Sequence, residues 1–279
     1  MLKRETGRTG YMPLGHSDLI LLSCQKVFMD IIEEIIAKKP HLEGPLRFYE
    51  KSIQFADAVK ALGMPSRPGL NAYPPEFIGR IVERFLSVID LPEGSLSPLK
   101  QALELGQIDF KRVPLLEVPA FSLPYPEDDL MMLLFLLSRP YFLVMHDVLQ
   151  RDGVPWEEGR CPVCSARPSL LTGSPDGLQQ HCSFCGTMGR YDSVGCPVCH
   201  NKDTALLNTF IVRKEKGFTV RACDLCKAYV KIVDEKQLGR MTPDLVDLMS
   251  LPLDIVVQEK GYKRPSPNPV GMVRMSASG

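Results

Sequence analysis

The chain has 279 residues, of which 44% are hydrophobic and 24% charged. That is enough apolar material for one large or two smaller folded domains, and it argues against a disordered chain. Lys plus Arg and Asp plus Glu each number 33, a formal net charge of zero, so no global field exists to draw in nucleic acid or an anionic membrane.

The opening residues, MLKRETGRTGYMPLGHSD, are basic, but no apolar run follows at signal-peptide distance, and no export signal is expected. SDLILLSCQKVFMDIIEEIIAKKP predicts a helix, with Ser17 or Asp18 as cap and Pro40 as its end. Cys24 falls on it as a core residue. GPLRFYEKSIQFADAVKALG predicts a second helix with a proline start and a glycine stop, and PPEFIGRIVERFLSVID and LSPLKQALELGQ repeat the style. The connections MPSRPGLNAYPP and VPLLEVPAFSLPYPEDD are proline-rich and read as extended linkers or surface loops.

PEDDLMMLLFLLSR opens with three acids, which favour a helix N-terminus. The apolar run Leu130 to Met145 is 16 residues long and interrupted by Arg139-Pro140. A bilayer span needs about 20, so a buried core helix, kinked or ended before Pro140, is expected and membrane insertion is not. His146 and Asp147 follow it, and neighbours in a helix do not face one another, so a structural histidine is expected there.

Cysteine usage divides the chain. Residues 1–160 hold one cysteine and residues 161–226 hold eight, in four C-x-x-C units: Cys161/Cys164, Cys182/Cys185, Cys196/Cys199 and Cys223/Cys226. Without an export signal thiols stay reduced, and metal binding outranks disulfides. Two sulfurs on one tight turn can face one ion, and two such turns complete a tetrahedral four-cysteine site. No thioredoxin-like βαβ pattern surrounds any unit, and the ferredoxin run of cysteines is absent. Two mononuclear sites, of zinc or iron, are therefore expected.

Seventeen residues separate Cys164 from Cys182 and 23 separate Cys199 from Cys223, each enough for a hairpin, whereas only 10 lie between Cys185 and Cys196. The spacing favours sequential pairing, with Cys161, Cys164, Cys182 and Cys185 at one site and Cys196, Cys199, Cys223 and Cys226 at the other. An interleaved cross-brace is the competing arrangement. His181 and His200 abut cysteines but are not needed as ligands, since eight thiolates fill two tetrahedra.

TALLNTFIV, FTVRAC and AYVKIV alternate and carry β-branched residues, so strands are expected around the turn RKEKG, and GSPDG is a second turn signal. The tail, MTPDLVDLMSLPLDIVVQEKGYKRPSPNPVG, holds a helix-like stretch and then a proline-rich end. From Arg160 to Lys231, ten Lys and Arg stand against five Asp and Glu. Two divalent ions, each held by four thiolates, would reduce that excess to about +1, which disfavours nucleic acid and leaves room for a protein partner. No P-loop, GxGxxG or Ser/His/Asp pattern is present, and an enzyme is not expected.

RCPVCSARP, CSFC, CPVC, RACDLCKAYVKIV and LPLDIVVQEKGYKRPSPNP, in that order, resemble the formate dehydrogenase accessory protein FdhE family, specifically from about Arg160 to Pro269. The resemblance implies an α+β chain, a helical domain followed by two tandem rubredoxin-like (zinc-ribbon-like) modules. The corresponding divisions are 1–155, 156–194, 195–236 and, for the C-terminal helix and tail, 237–279. It also implies sequential pairing, iron as the metal, and a non-enzymatic role in the cytoplasm. That role is binding the catalytic subunit of a respiratory formate dehydrogenase during maturation, before twin-arginine export. A rubredoxin-like electron carrier and a zinc-ribbon nucleic-acid binder are the alternatives. Asp224, Tyr229, Lys231, Asp254 and Tyr262 match the family pattern as candidate partner contacts. Their alternative is structural, with Tyr229 packing on a ribbon and Gly261 ending a helix. The sequence departs from the pattern at Gly189, where the family often has tryptophan, at Ser193, often arginine, and at Arg221, where an acid can stand.

Overall fold

The structure, a computed structural model, describes residues 16–63, 73–117, 122–150, 156, 159–175, 177–191, 194–211 and 216–275. The chain divides into two compact units, residues 1–43 and 44–279. In the first, helix α1 spans His16–Lys38 and a single 3-10 turn follows at Pro40–Leu42. Ile31, Ile32 and Ile35 are its buried positions, at helical spacing. The Cys24 side chain lies outside the described residues, as do the Ser17 and Asp18 side chains.

The second unit begins with helices α2 (Glu43–Ala61), α3 (Pro75–Ile89), α4 (Ser97–Glu104) and α5 (Glu127–Gln150). Proline stands in the first turn of α3 and α4, where its missing N–H costs nothing. The α3 sequence buries Ile78, Ile81, Val82 and Phe85, the i, i+3, i+4, i+7 stripe of an amphipathic helix. The two proline-rich connections fall partly outside the described residues.

Of the two alternatives expected at Pro140, a kinked helix or a helix end, the second is excluded: α5 continues to Gln150. A mid-helix proline removes one N–H and pushes aside the carbonyls of the preceding turn, and here the Leu137 carbonyl accepts a hydrogen bond from the buried Tyr73 hydroxyl at 3.0 Å. By length and composition alone the helix is long and apolar enough to cross a membrane. Its apolar residues from Leu130 to Phe142 instead lie inside the core shared with α3 and α4, as befits a helix hydrophobic all round.

Six strands form one sheet in the order β3-β2-β1-β6-β5-β4. They are β1 (Leu170–Ser174), β2 (Gly177–His181), β3 (Met188–Tyr191), β4 (Leu207–Ile211), β5 (Phe218–Cys223) and β6 (Tyr229–Asp234). The strands expected in the second ribbon are present; the turn residues 212–215 and Asp176 lie outside the described residues. Two antiparallel three-stranded ribbons meet through a parallel pairing of β1 with β6, in which Leu170 faces Lys231 and Leu171 faces Ile232. The chain from β2 through β5 thus forms the crossover that a parallel pair requires.

The tail supplies two helices rather than one, α7 (Pro243–Met249) and α8 (Leu251–Glu259), after the single turn α6 (Glu235–Leu238). Val246, Leu253 and Val257 pack against Val220, Tyr229 and Val233 of the sheet. Gly261, at φ +85°, ends α8, a conformation that costs glycine little. The proline-rich end then straps the fold: Lys263 exchanges backbone bonds with Lys227 and Tyr229, the Ser183 hydroxyl donates to the Pro267 carbonyl, and Arg139 of α5 donates to the Pro269 carbonyl.

Candidate metal centres

Each C-x-x-C unit folds into the same knuckle. The first cysteine's carbonyl accepts the N–H four residues on, and its own N–H reaches the carbonyl five residues on. In the first knuckle Ser165 N–H bonds Cys161 O at 2.8 Å, and Cys161 N–H bonds Ala166 O at 2.8 Å. Gly186 and Thr187, His200 and Asn201, and Lys227 and Ala228 repeat the arrangement after Cys182, Cys196 and Cys223. The residue after each second cysteine is left-handed: Ser165 at φ +65°, Gly186 at +74°, His200 at +61° and Lys227 at +57°. Only one of the four is glycine. At the others the backbone accepts about 1–2 kcal/mol of strain, held in place by the paired bonds of the turn.

The knuckles meet in sequential pairs. The sulfurs of Cys161, Cys164, Cys182 and Cys185 all lie within 4.8 Å of one another, and so do those of Cys196, Cys199, Cys223 and Cys226. In the first group Cys161 and Cys185 are 3.4 Å apart and Cys164 and Cys182 3.3 Å. In the second, both cross-knuckle distances are 3.8 Å. A tetrahedral ion with bonds of about 2.3 Å to sulfur has edges of about 3.8 Å. The second group has that spacing as it stands, and the first needs a few tenths of an ångström of expansion. Both groups could hold a metal ion.

Electrostatics points the same way. Burial pushes the Cys164 and Cys182 thiols well up and Cys196 up to about 11. Cys161 is held down, because Cys164, Cys182 and Cys185 all donate to it. Four close sulfurs support one thiolate among themselves; a divalent ion supports all four. Polar groups suited to thiolates are close by: Val198 N–H is 3.4 Å from the Cys196 sulfur, and the Thr187 hydroxyl is 2.9 Å from the Cys185 sulfur.

The two centres differ in their surroundings. All four cysteines of the first are buried, whereas in the second Cys199 is half-buried and Cys226 exposed. The first belongs to the helical core. Phe184, inside its second knuckle, packs edge-on against Phe135 of α5, with ring centres 4.7 Å apart.

The histidines stay out of both sulfur groups. His181 Nε2 faces the Thr172 hydroxyl at 2.8 Å. Burial holds its pKa down to about 4, against the pull of Asp244. His200 supplies the left-handed turn of the third knuckle. His146 does approach its neighbour, 3.7 Å from Asp147, but Asp147 is bound by Lys60 at 2.8 Å in an exposed pair.

Three candidate partner contacts are enclosed in the fold. Tyr229, Lys231 and Asp254 are buried and bonded to one another through Asp254, which accepts from Tyr229 at 2.6 Å and Lys231 at 2.7 Å. The network extends to two residues the sequence reading missed. Arg264 bonds Asp254 at 2.6 Å and Asp247 at 2.7 Å, and Lys231 also pairs with Asp247. Their signal was present: Asp247 and Asp254 interrupt the apolar face of the tail helices, where a buried acid requires a cation. Asp224 is partly exposed inside the fourth knuckle, where it accepts from Lys227 at 2.7 Å, Asn208 at 2.7 Å and Tyr262 at 3.1 Å.

The Gly189 departure has a physical counterpart. A Cβ there would stand 2.2 Å from the Trp156 carbonyl oxygen, so the chain's one tryptophan lies directly over β3. Arg221 is on β5, its NH1 without a hydrogen-bond partner among the described residues. Ser193 lies outside them.

Residues 194–270 match the family model described as the C-terminal domain of FdhE. A protein FdhE homolog of Aquifex aeolicus is 31% identical over 150 residues, 51% of this chain and 53% of that protein. A homolog of Pectobacterium atrosepticum is 31% identical over 122 residues, 42% of this chain and 39% of its own length. Protein FdhE of Escherichia coli is 31% identical over 114 residues, 39% of this chain and 36% of its own length. The chain spans about half the length, or less, of these curated relatives. The crystal structure of the FdhE protein from Pseudomonas aeruginosa aligns with 79% of this chain and 70% of its own at 18% identity, with a TM-score of 0.44.

Proposed function

We propose that the chain is a member of the FdhE family, whose C-terminal domain residues 194–270 match, and that it is a formate dehydrogenase accessory protein. In this reading it is a non-enzymatic factor that binds the catalytic subunit of a respiratory formate dehydrogenase in the cytoplasm during maturation. The observation that carries the reading is where the family match falls. It begins two residues before Cys196 and ends at Val270, enclosing the whole second sulfur group and the strap that closes on its last knuckle.

The eight cysteines would hold two ions, iron by family resemblance or zinc by coordination chemistry. A bound ion would tie two knuckles together and supply much of a small ribbon's folding free energy. Loops fixed in this way meet a partner with little further loss of entropy. Leu225, inside the fourth knuckle and 63% exposed, is an apolar contact held in such a loop. Co-purification with the cognate catalytic subunit, lost on replacing Leu225 with Asp while both metals stay bound, is the expected result. Full formate dehydrogenase activity in a deletion strain would refute the role.

A second reading, a rubredoxin-like electron carrier, is favoured by one observation: Cys226 is exposed, which gives electrons a short path to the second centre. Reversible one-electron reduction together with a kinetically competent donor would support it. Tightly held zinc in protein from the native host removes it.

A further inference from the structure

Strand β4 ends the sheet, and the directions of its backbone groups follow from two bonds. Asp224 N–H bonds the Leu206 carbonyl at 2.8 Å, whereas Cys223 N–H turns the other way, to the Ala228 carbonyl at 2.9 Å. Along an antiparallel pair such directions alternate. Asn208 and Phe210, opposite Ala222 and Val220, therefore bond β5, and Leu207, Thr209 and Ile211 turn their backbone outward. The Leu207 N–H is taken by the Thr204 carbonyl. The Leu207 carbonyl and both backbone groups of Thr209 and Ile211 have no backbone partner among the described residues.

This edge is accessible and unguarded. No residue of β4 is buried, and Thr209 and Ile211 are exposed, Ile211 at 72%. Five consecutive pairs with β5 run without a bulge. Leu207–Ile211 holds neither proline nor charge, the usual guards of an edge strand.

The side chains limit what can pair there. Leu207, Thr209 and Ile211 share one face of the strand, where Leu207 packs against the cluster of Leu171 and Val230. Asn208 and Phe210 share the other. There the exposed Lys260 stands 5.9 Å from the Phe210 ring centre, in no ion pair among the described residues. An added strand meets an aliphatic row on one face and an ammonium on the other. Five residues are far fewer than the roughly 20–30 a side of a stable interface between proteins. They are too few for a durable pair of copies, but they are the length of a peptide strand. The Asp224–Leu206 bond also sets the knuckle bearing Leu225 at the head of β4.

We infer that the β4 edge docks an extended segment of the catalytic subunit, added antiparallel, the more stable pairing per residue. Aliphatic residues of the segment stand opposite Leu207, Thr209 and Ile211, and an acidic residue opposite Phe210 reaches Lys260. The inference deepens the accessory role and rests on it for the identity of the partner; the edge itself needs no formate dehydrogenase.

The test reads the anisotropy of fluorescein-labelled Val-Glu-Val-Glu-Val against the full chain loaded with zinc. Saturable binding is expected. N-methylation of the valines, whose N–H groups face β4, should abolish it, and N-methylation of the glutamates, whose N–H groups face solvent, should not. Val-Lys-Val-Lys-Val should bind about tenfold more weakly, and Lys260→Glu should invert that preference. Thr209→Pro removes an N–H that only the ligand uses, a change an edge strand tolerates. It should weaken the peptide about tenfold with both metals retained, and it should cost co-purification of the catalytic subunit. No saturable binding, or equal binding of the valine-methylated peptide, overturns the inference. So does self-association of the parent that Thr209→Pro abolishes while no peptide binds, which would give the edge to a second copy. Capture of the subunit by Thr209→Pro as by the parent removes the subunit as occupant. A parent that binds the peptide but captures no subunit refutes the accessory role and leaves the peptide-binding edge in place.

Discussion

Lys231 Nζ lies 2.7 Å from Asp254 Oδ2, and neither side chain is exposed at all. Together with Arg264 and Asp247 they form a charge-balanced cluster between β6 and the tail helices. Breaking a buried pair by removing one partner costs about 3–5 kcal/mol, because the other charge is left uncompensated. Lys231→Met is accordingly expected to lower stability by about that much in urea unfolding of the metal-loaded chain. Adding Asp254→Leu should recover part of the loss. A double variant as unstable as the sum of the two single variants would show that the charges act independently.

The same cluster sets an acid limit. Burial raises the Asp247 pKa, but Arg264 and Lys231 outweigh it and hold the carboxyl below its ordinary value. A depressed folded pKa contributes stability that is present above the unfolded value, about 3.9, and lost as pH falls through the folded one. Asp247→Asn should therefore be destabilised by a constant amount from about pH 7 to 5, with its gap to the parent narrowing below about pH 4. Urea midpoints measured across that range decide the matter. A gap that widens on acidification has the wrong sign.

Local periodicity and cysteine spacing carried much of this architecture. The stripe Ile78, Ile81, Val82 and Phe85 marks α3 unaided, and the 17- and 23-residue gaps between knuckles match the two hairpins. What stayed hidden depends on contacts distant in sequence. The parallel Leu170–Lys231 register joins strands about 60 residues apart and leaves no local pattern. Pro140 left a kink and a helix end equally open, because the Tyr73 hydroxyl that meets the carbonyl of its preceding turn is remote in the chain. Lys231 and Asp254 matched the family pattern with a partner-contact and a structural reading both open, and a polar letter alone does not reveal the buried partner that favours the second.

Gly189 offers a cleaner steric test. Its Cβ would meet backbone, the Trp156 carbonyl oxygen at 2.2 Å and carbon at 3.0 Å, so no side-chain rotation relieves the clash. Overpacking of this kind costs about 1–3 kcal/mol. Gly189→Ala is expected to fall in that range and to shift the emission of Trp156, now 3% exposed, to the red. Unchanged emission and stability would mean that the close approach of Trp156 to β3 does not persist in solution.

The sharpest asymmetry lies between the metal centres. The first is sealed in the helical core, with Phe184 wedged against Phe135; the second presents Cys226 to solvent. A chelator attacks through an accessible ligand, so release should occur in two phases of equal amplitude, the faster from the second centre. Cys226→Ser should remove the fast phase and leave the slow one near its parent rate, since Cys226 touches none of the first centre's ligands. Cys185→Ser should do more damage, because Cys185 also belongs to the core that α3 and α5 share; loss of helical circular dichroism should accompany loss of the first ion. A chromophoric chelator assay on both variants tests the pair of expectations, and simultaneous release of both ions from Cys226→Ser would show that the β1–β6 pairing couples the centres into one cooperative unit.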